Sequence, residues 1–329
     1  MQLITSKIFK LLVLFYIEMN NESVYSESTV FAFKKTIFSP FLRPAFYKVM
    51  YSIFYNFFFR QHVSAFLPGR IPVTEVDHPL DEKIPFRPSW IKIYIDFTQF
   101  WIRMISFFIR HYKRKALVPI KDFILSMSDL YAFAAKVYTK NCSTTDRPFY
   151  IGRFRFFVIH LLDPHLYCIP SLHVMVVIHT YLQFTVIAKK LGEEKKLKEQ
   201  LAEMKQGAAA ITNAILFVKQ HSVNCIPAAL YAMTRFNPEF FPPKEAEKFA
   251  CMLLSSAPKT KDEKKIKNPV HPCSAPDIEI TDSDQTLIKA HILQLYYDFY
   301  EDGKIAKNWY DPLMEFLKSC DDENNNIHN

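Results

Sequence analysis

The stretch Pro164–Ala188 runs 25 residues without an Asp, Glu, Lys or Arg, and it carries His165, His173 and His179. The other long aromatic runs are punctured by charge, at Lys48 and Arg60 within 45–66 and at Lys92, Asp96 and Arg103 within 90–109. A charge-free run of this length has two physical outlets. As a helix it is long enough to cross a hydrocarbon core of about 30 Å. It equally suits a helix covered on every side in an all-α domain. The mean hydropathy of −0.03 is low for a chain built mainly of spanning helices. Membrane association is the expectation, with a soluble cytoplasmic protein as the alternative.

Around this run the pattern is helical. Trp90, Tyr94, Phe97, Trp101, Ile105 and Phe108 recur at three- and four-residue spacing, which predicts an amphipathic helix over 89–110. Further helices are expected over 120–139, 170–188 and 283–301. The mixed-charge segment 189–206 reads as a solvated helix running on into 208–218. Residues 68–88 hold five prolines and read as a loop, as does 140–148, and 237–243 and 258–276 break the chain. The polar end 321–329 is expected to fray. Strand-like alternation is too scattered to form a sheet, so the class is all-α. Three regions follow: an aromatic-rich helical region 1–115, a core 116–236, and a helical extension with tail 237–329. Residues 1–66 are rich in Phe and Tyr with basic punctuation, which suits either a membrane interface or core helices. Lys7 and Lys10 precede a short apolar run, Leu11–Ile17, with no small-x-small site after it. A peripheral or first core helix fits there at least as well as a signal peptide.

Only 5 glycines occur among 329 residues, and neither a G-x-G-x-x-G nor a P-loop pattern is present. The formal charge of +8 suits phosphate groups or an anionic membrane surface as partners; nucleic acid is not expected. Six cysteines form no C-x-x-C pair, which suggests free thiols in a reducing setting.

Chemistry concentrates in Cys168-Ile-Pro-Ser-Leu-His-Val174. Ser171 stands where a helix N-cap would be, and free N–H groups near Ser171 and Leu172 can cradle an anion. His173 lies in the same turn, able to lend or take a proton. Lys140-x6-Arg147-Pro148 precedes this turn, and Lys219-Gln220-His221 follows it, His221 coming 48 residues after His173. The order and spacing of these three motifs, over roughly 116–236, resemble the type 2 phosphatidic acid phosphatase superfamily, which also holds vanadium haloperoxidases and lipid phosphotransferases. Lys-x6-Arg-Pro and Pro-Ser-x-His are complete; of Ser-Arg-x5-His-x3-Asp only the His stands.

The resemblance implies a helical bundle of that family's kind. It also implies a phosphatase or phosphotransferase acting on a lipid-linked phosphate ester through a phosphohistidine. By that resemblance His221 is the nucleophile and His173 protonates the leaving group. Phosphoryl transfer needs cationic donors around the phosphate oxygens, and Lys140, Arg147 and Lys219 can supply them without a metal or cofactor. The third motif departs where Ala214-Ile215 replaces Ser-Arg and Cys225 replaces the Asp, leaving Asn224 or Cys225 to orient the imidazole. Two other readings follow from these residues. One is a degenerate relative that binds a phosphate-bearing lipid or a partner without turnover. The other is a structural metal site of Cys168, His173, His221 and Cys225, which Lys219 would disfavour by repelling a cation. The remaining histidines, His165 and His291 among them, read as structural or exposed.

Overall fold

The charge-free run becomes a helix, Leu172–Leu191, with four other helices against it. The computed structural model describes residues 23–67, 69–150, 152–255, 271–272 and 275–328, with side chains to 324. In chain order, α1 is Thr29–Phe38 and α2 is Arg43–Ile53, which passes through a π-helical turn, Phe54–Phe59, into α3, Arg60–Phe66. Strand β1 is Val73–Glu75, α4 is Ile91–Ile95, α5 is Phe97–Tyr112, α6 is Leu117–Tyr138 and β2 is Cys142–Thr144. Then come α7 (Phe154–Leu162), α8 (Leu172–Leu191), α9 (Lys198–Phe217), α10 (Cys225–Phe236) and α11 (Pro243–Met252). The chain ends in α12 (Asp282–Ile305) and α13 (Asp311–His328). With 71% of the described residues in helix and 2% in strand, the fold is all-α.

Helix α8 packs against α5, α6, α9 and α10, and every residue from Leu172 to Leu182 is buried. With neighbours on all flanks there is no face on which a charge could reach water, so the sequence carries none. Among the described residues α8 is the one helix long and apolar enough to cross a membrane, and 78% of its apolar window is buried inside the protein. It stops at Gly192, whose φ of 70° is the left-handed conformation that closes a helix C-terminus. One continuous apolar core runs from Val24 to Leu317 and takes residues from all three sequence regions.

A short parallel ribbon fixes the turn that enters α8. Strands β1 and β2 pair Val73 with Cys142, Thr74 with Ser143 and Glu75 with Thr144. Ser143 then bridges to Tyr167, taking the Cys168 N–H at 3.2 Å on its carbonyl and the Ile169 N–H at 2.7 Å on its Oγ. Tyr138, at the end of α6, donates its hydroxyl to the Pro170 carbonyl at 2.5 Å. The loop of 68–88 and the loop of 140–148 are thereby drawn to the N-terminus of α8.

Several expectations change. The helix over 89–110 is interrupted at Asp96, whose buried carboxylate pairs with Arg103 one to two turns into α5. Residues 189–206 are not one helix; the chain turns after Gly192 and restarts at Lys198. The end expected to fray is helical and docked: Asp321 accepts from Thr74 Oγ1 at 2.9 Å and the Asn324 amide donates to the Glu75 carbonyl at 3.3 Å. The Lys7–Ile17 reading and most of the 258–276 break lie outside the described residues.

Candidate active site

At the N-terminus of α8 the backbone of Ser171 is extended, with φ −63° and ψ 111°, and its side chain caps no N–H. Its Oγ instead faces His221 Nε2 at 3.4 Å. His173 sits one turn position on, with Nδ1 3.2 Å from the same His221 Nε2. One nitrogen of His221 thus meets both partners, and the rings lie edge to face with centroids 5.2 Å apart. Phe97 and Tyr94 wall the other side of His173, at centroid distances of 4.2 and 4.9 Å. Burial and the neighbouring His221 hold His173 well below the usual histidine range, so the free site carries it neutral at pH 7.

Arg147 reaches this pair from the side. Its guanidinium donates to Gln220 Oε1 at 3.2 Å, next to His221, and to the Asp163 carbonyl at 3.0 Å. Lys140 does not reach it. Its ammonium rests 5.2 Å from the centre of the Tyr310 ring, on the exposed end of α6. Strand β2 lies between the two cations, and an extended chain advances about 3.3 Å per residue, so one loop carries Arg147 inward and leaves Lys140 behind. Lys219, in a left-handed turn with φ 53°, donates its ammonium to the Asp81 carbonyl. Burial pushes its pKa down, against Asp81, Asp77 and Glu82, which raise it.

The two residues expected to orient His221 are occupied elsewhere. The Asn224 amide oxygen accepts from His291 Nε2 of α12 at 2.7 Å, and its NH2 donates to the Val76 carbonyl at 3.2 Å. His291 stacks on His78 at 4.0 Å and is held neutral by burial, with a pKa down to about 4. Cys225 is buried against the Cys168 thiol. His221 Nδ1 is left buried with no hydrogen-bond partner.

His165, which no sequence motif marks, packs beside these groups with Thr145 and Cys168. His165 Nε2 lies 2.8 Å from Thr145 Oγ1 and 3.7 Å from Cys168 Sγ, with its ring centre 6.3 Å from that of His221. Burial pushes the Cys168 thiol up, but contacts with Cys225, His165 and His221 outweigh it and bring the pKa well below the usual thiol range. The Cys168 thiol is thus made more acidic beside the His165–His221 pair. The position of His165 within the charge-free run was the only hint, because a histidine there needs a polar partner to be buried.

Outward from His221 opens a pocket of about 540 Å³ between the 77–86 loop and the 145–148 loop. Its lining carries Asp77, Asp81, Glu82 and Asp146 beside Lys219. Asp81 is structural, accepting the His78 N–H at 2.9 Å and the Val223 N–H at 2.8 Å. Burial raises Asp77 to about 6, against a bond from the Asp146 N–H. Lys219 thus stands among four carboxylates, and Arg147 and the first turn of α8 lie outside the pocket's lining. Among the described residues no group of three or more His, Cys, Asp or Glu is arranged to hold a metal ion, so Cys168, His173, His221 and Cys225 do not form the metal site considered above. No family model, curated protein or solved structure matches this chain.

Proposed function

We propose that the protein is a phosphatase or phosphotransferase of the type 2 phosphatidic acid phosphatase kind, acting on a lipid-linked phosphate ester through a phosphohistidine. The observation that carries this reading is the meeting of His221 Nε2 with Ser171 Oγ and His173 Nδ1 at the start of α8, from positions 50 and 48 residues apart. Phosphate at that point faces N–H groups of the first turn of α8, which have no intrahelical acceptor. Arg147 offers a planar fork from the side.

In the first step His221 Nε2 attacks phosphorus as the P–O ester bond breaks, and the leaving oxygen takes a proton from His173. In the second, water or an acceptor alcohol attacks, its proton returns to His173, and the N–P bond breaks. His173 takes its proton from solvent as the substrate binds. Burial keeps the ring neutral in the free site, and a bound dianion beside it reverses the Coulombic balance.

A second reading is binding without turnover, favoured by the unpartnered Nδ1 of His221 and by Lys140 lying on Tyr310. Release of phosphate from phosphatidic acid without added metal separates the two. Activity abolished in His221→Ala supports catalysis; phosphate binding with no release by either protein supports the second reading.

A further inference from the structure

Helices α2, α3 and α7 turn aromatic side chains to solvent that a covered fold would bury. Phe66 is 80% exposed, Phe154 79% and Leu161 67%, and Phe54, Phe59 and Phe149 are also exposed. On α2–α3, Tyr51, Tyr55 and Phe59 stack in sequence at 5.6 and 5.8 Å, and the Arg60 guanidinium closes the ladder 4.9 Å above Tyr55. Gln61 of α3 donates to Asp163, just past α7, at 2.6 Å, so the two aromatic helices adjoin. Water-facing apolar patches beyond a few hundred Å² mark an interaction surface.

The charge pattern identifies the partner. Residues 28–72 contain six Lys and Arg and no carboxylate, and 147–162 contain three Arg and no carboxylate. These nine exceed the net charge of +8, so the rest of the chain is close to neutral. One of them, Lys48, shares Asp129 of α6 at 3.5 Å. Between α1 and the end of α5 a pocket of about 580 Å³ continues the theme: Phe31, Phe38 and Ile109 sit beneath Lys35, Lys113 and Arg114, and no carboxylate lines it. Rings with cations at their edge and no acid suit the interface of an anionic bilayer, where rings lie among headgroups and cations meet lipid phosphates.

We infer that α1–α3 and α7 form a docking surface on which the protein lies on an anionic membrane. The surface is tied to the candidate site, because Asp163 holds both Gln61 and Arg147. It would stand whether or not His221 turns over substrate.

The test is sedimentation of the full chain with vesicles of phosphatidylcholine alone and with added phosphatidylserine. Wild type and His221→Ala are expected to bind the anionic vesicles alike, with binding falling at high salt. Phe59→Glu with Phe154→Glu should lower binding at least tenfold, with unchanged circular dichroism and unchanged turnover of a water-soluble phosphate ester. Arg43→Glu with Arg155→Glu should reduce the preference for phosphatidylserine. Absence of wild-type binding to anionic vesicles would overturn the inference. So would a wild-type dimer that the same Phe variants dissociate while vesicle binding stays as in wild type, since the surface would then join two copies of the chain.

Discussion

His221 turns its Nε2 to His173 Nδ1 at 3.2 Å and keeps its own Nδ1 buried without a partner. The reactive edge of the ring is therefore organised, and the edge behind it is not fixed by a carboxylate.

Arg147 and Lys140 belong to one sequence motif but to different places. Arg147→Ala is expected to lower kcat/KM by about a hundredfold, close to 3 kcal/mol of lost transition-state stabilisation. Lys140→Ala, which frees only the contact with Tyr310, should stay within about twofold of wild type. Steady-state kinetics on a water-soluble phosphate ester checks both, and equal losses would show that Lys140 moves to the phosphate.

Cys168 is expected to bear negative charge near His221, because contacts with Cys225, His165 and His221 lower its pKa. Cys168→Ala should reduce kcat by about tenfold, worth about 1.4 kcal/mol, with KM little changed. A thiol role limited to packing would leave kcat and its pH profile as in wild type, and Cys168→Ala would then differ only in thermal stability.

Burial and His221 depress the pKa of His173, so the proton-donating form grows as pH falls. With His173 as the acid, kcat/KM should rise from pH 8 toward acidic pH, up to about tenfold per unit. Phe97→Ala admits water beside the ring and should move the optimum toward neutrality. A flat profile in both proteins would remove His173 from the proton transfer.

His179 shows the linkage without catalysis. Its Nε2 lies 2.8 Å from Ser126 Oγ, its Nδ1 has no partner, and burial lowers its pKa to about 3. The unfolded chain, near 6.5, then binds more protons than the folded one. The stability is full above about pH 6.5 and is lost as pH falls toward about 3, amounting to about 3 kcal/mol by about pH 4.5. Asp77 and Asp96, raised to about 6 by burial, act in the opposite sense over about pH 4 to 6. A single substitution therefore isolates the histidine. Denaturant unfolding of His179→Gln should show a flatter loss of stability with acid than wild type, and identical slopes would contradict the assignment.

What was legible in the sequence was what local pattern dictates. The charge-free run gave α8, Ser171 stands at its start, and the periodicity over 283–301 became α12. What was not legible depends on distant partners. Asn224 looks free to serve His221 until His291, 67 residues on, takes its oxygen. Lys140 and Arg147 look equivalent until β2 forms between them. The polar end looks unstructured until Thr74 and Glu75 offer it hydrogen bonds. His165 has no motif, and only the fold brings it beside Cys168 and His221.

The central claim is a covalent phosphohistidine at position 221. Rapid quenching of turnover of a radiolabelled lipid phosphate, followed by peptide mapping, tests it directly. The expected result is an acid-labile, alkali-stable label on the peptide bearing His221, absent in His221→Ala. Product formation with no label on the protein, or with the label on Ser171, would contradict it.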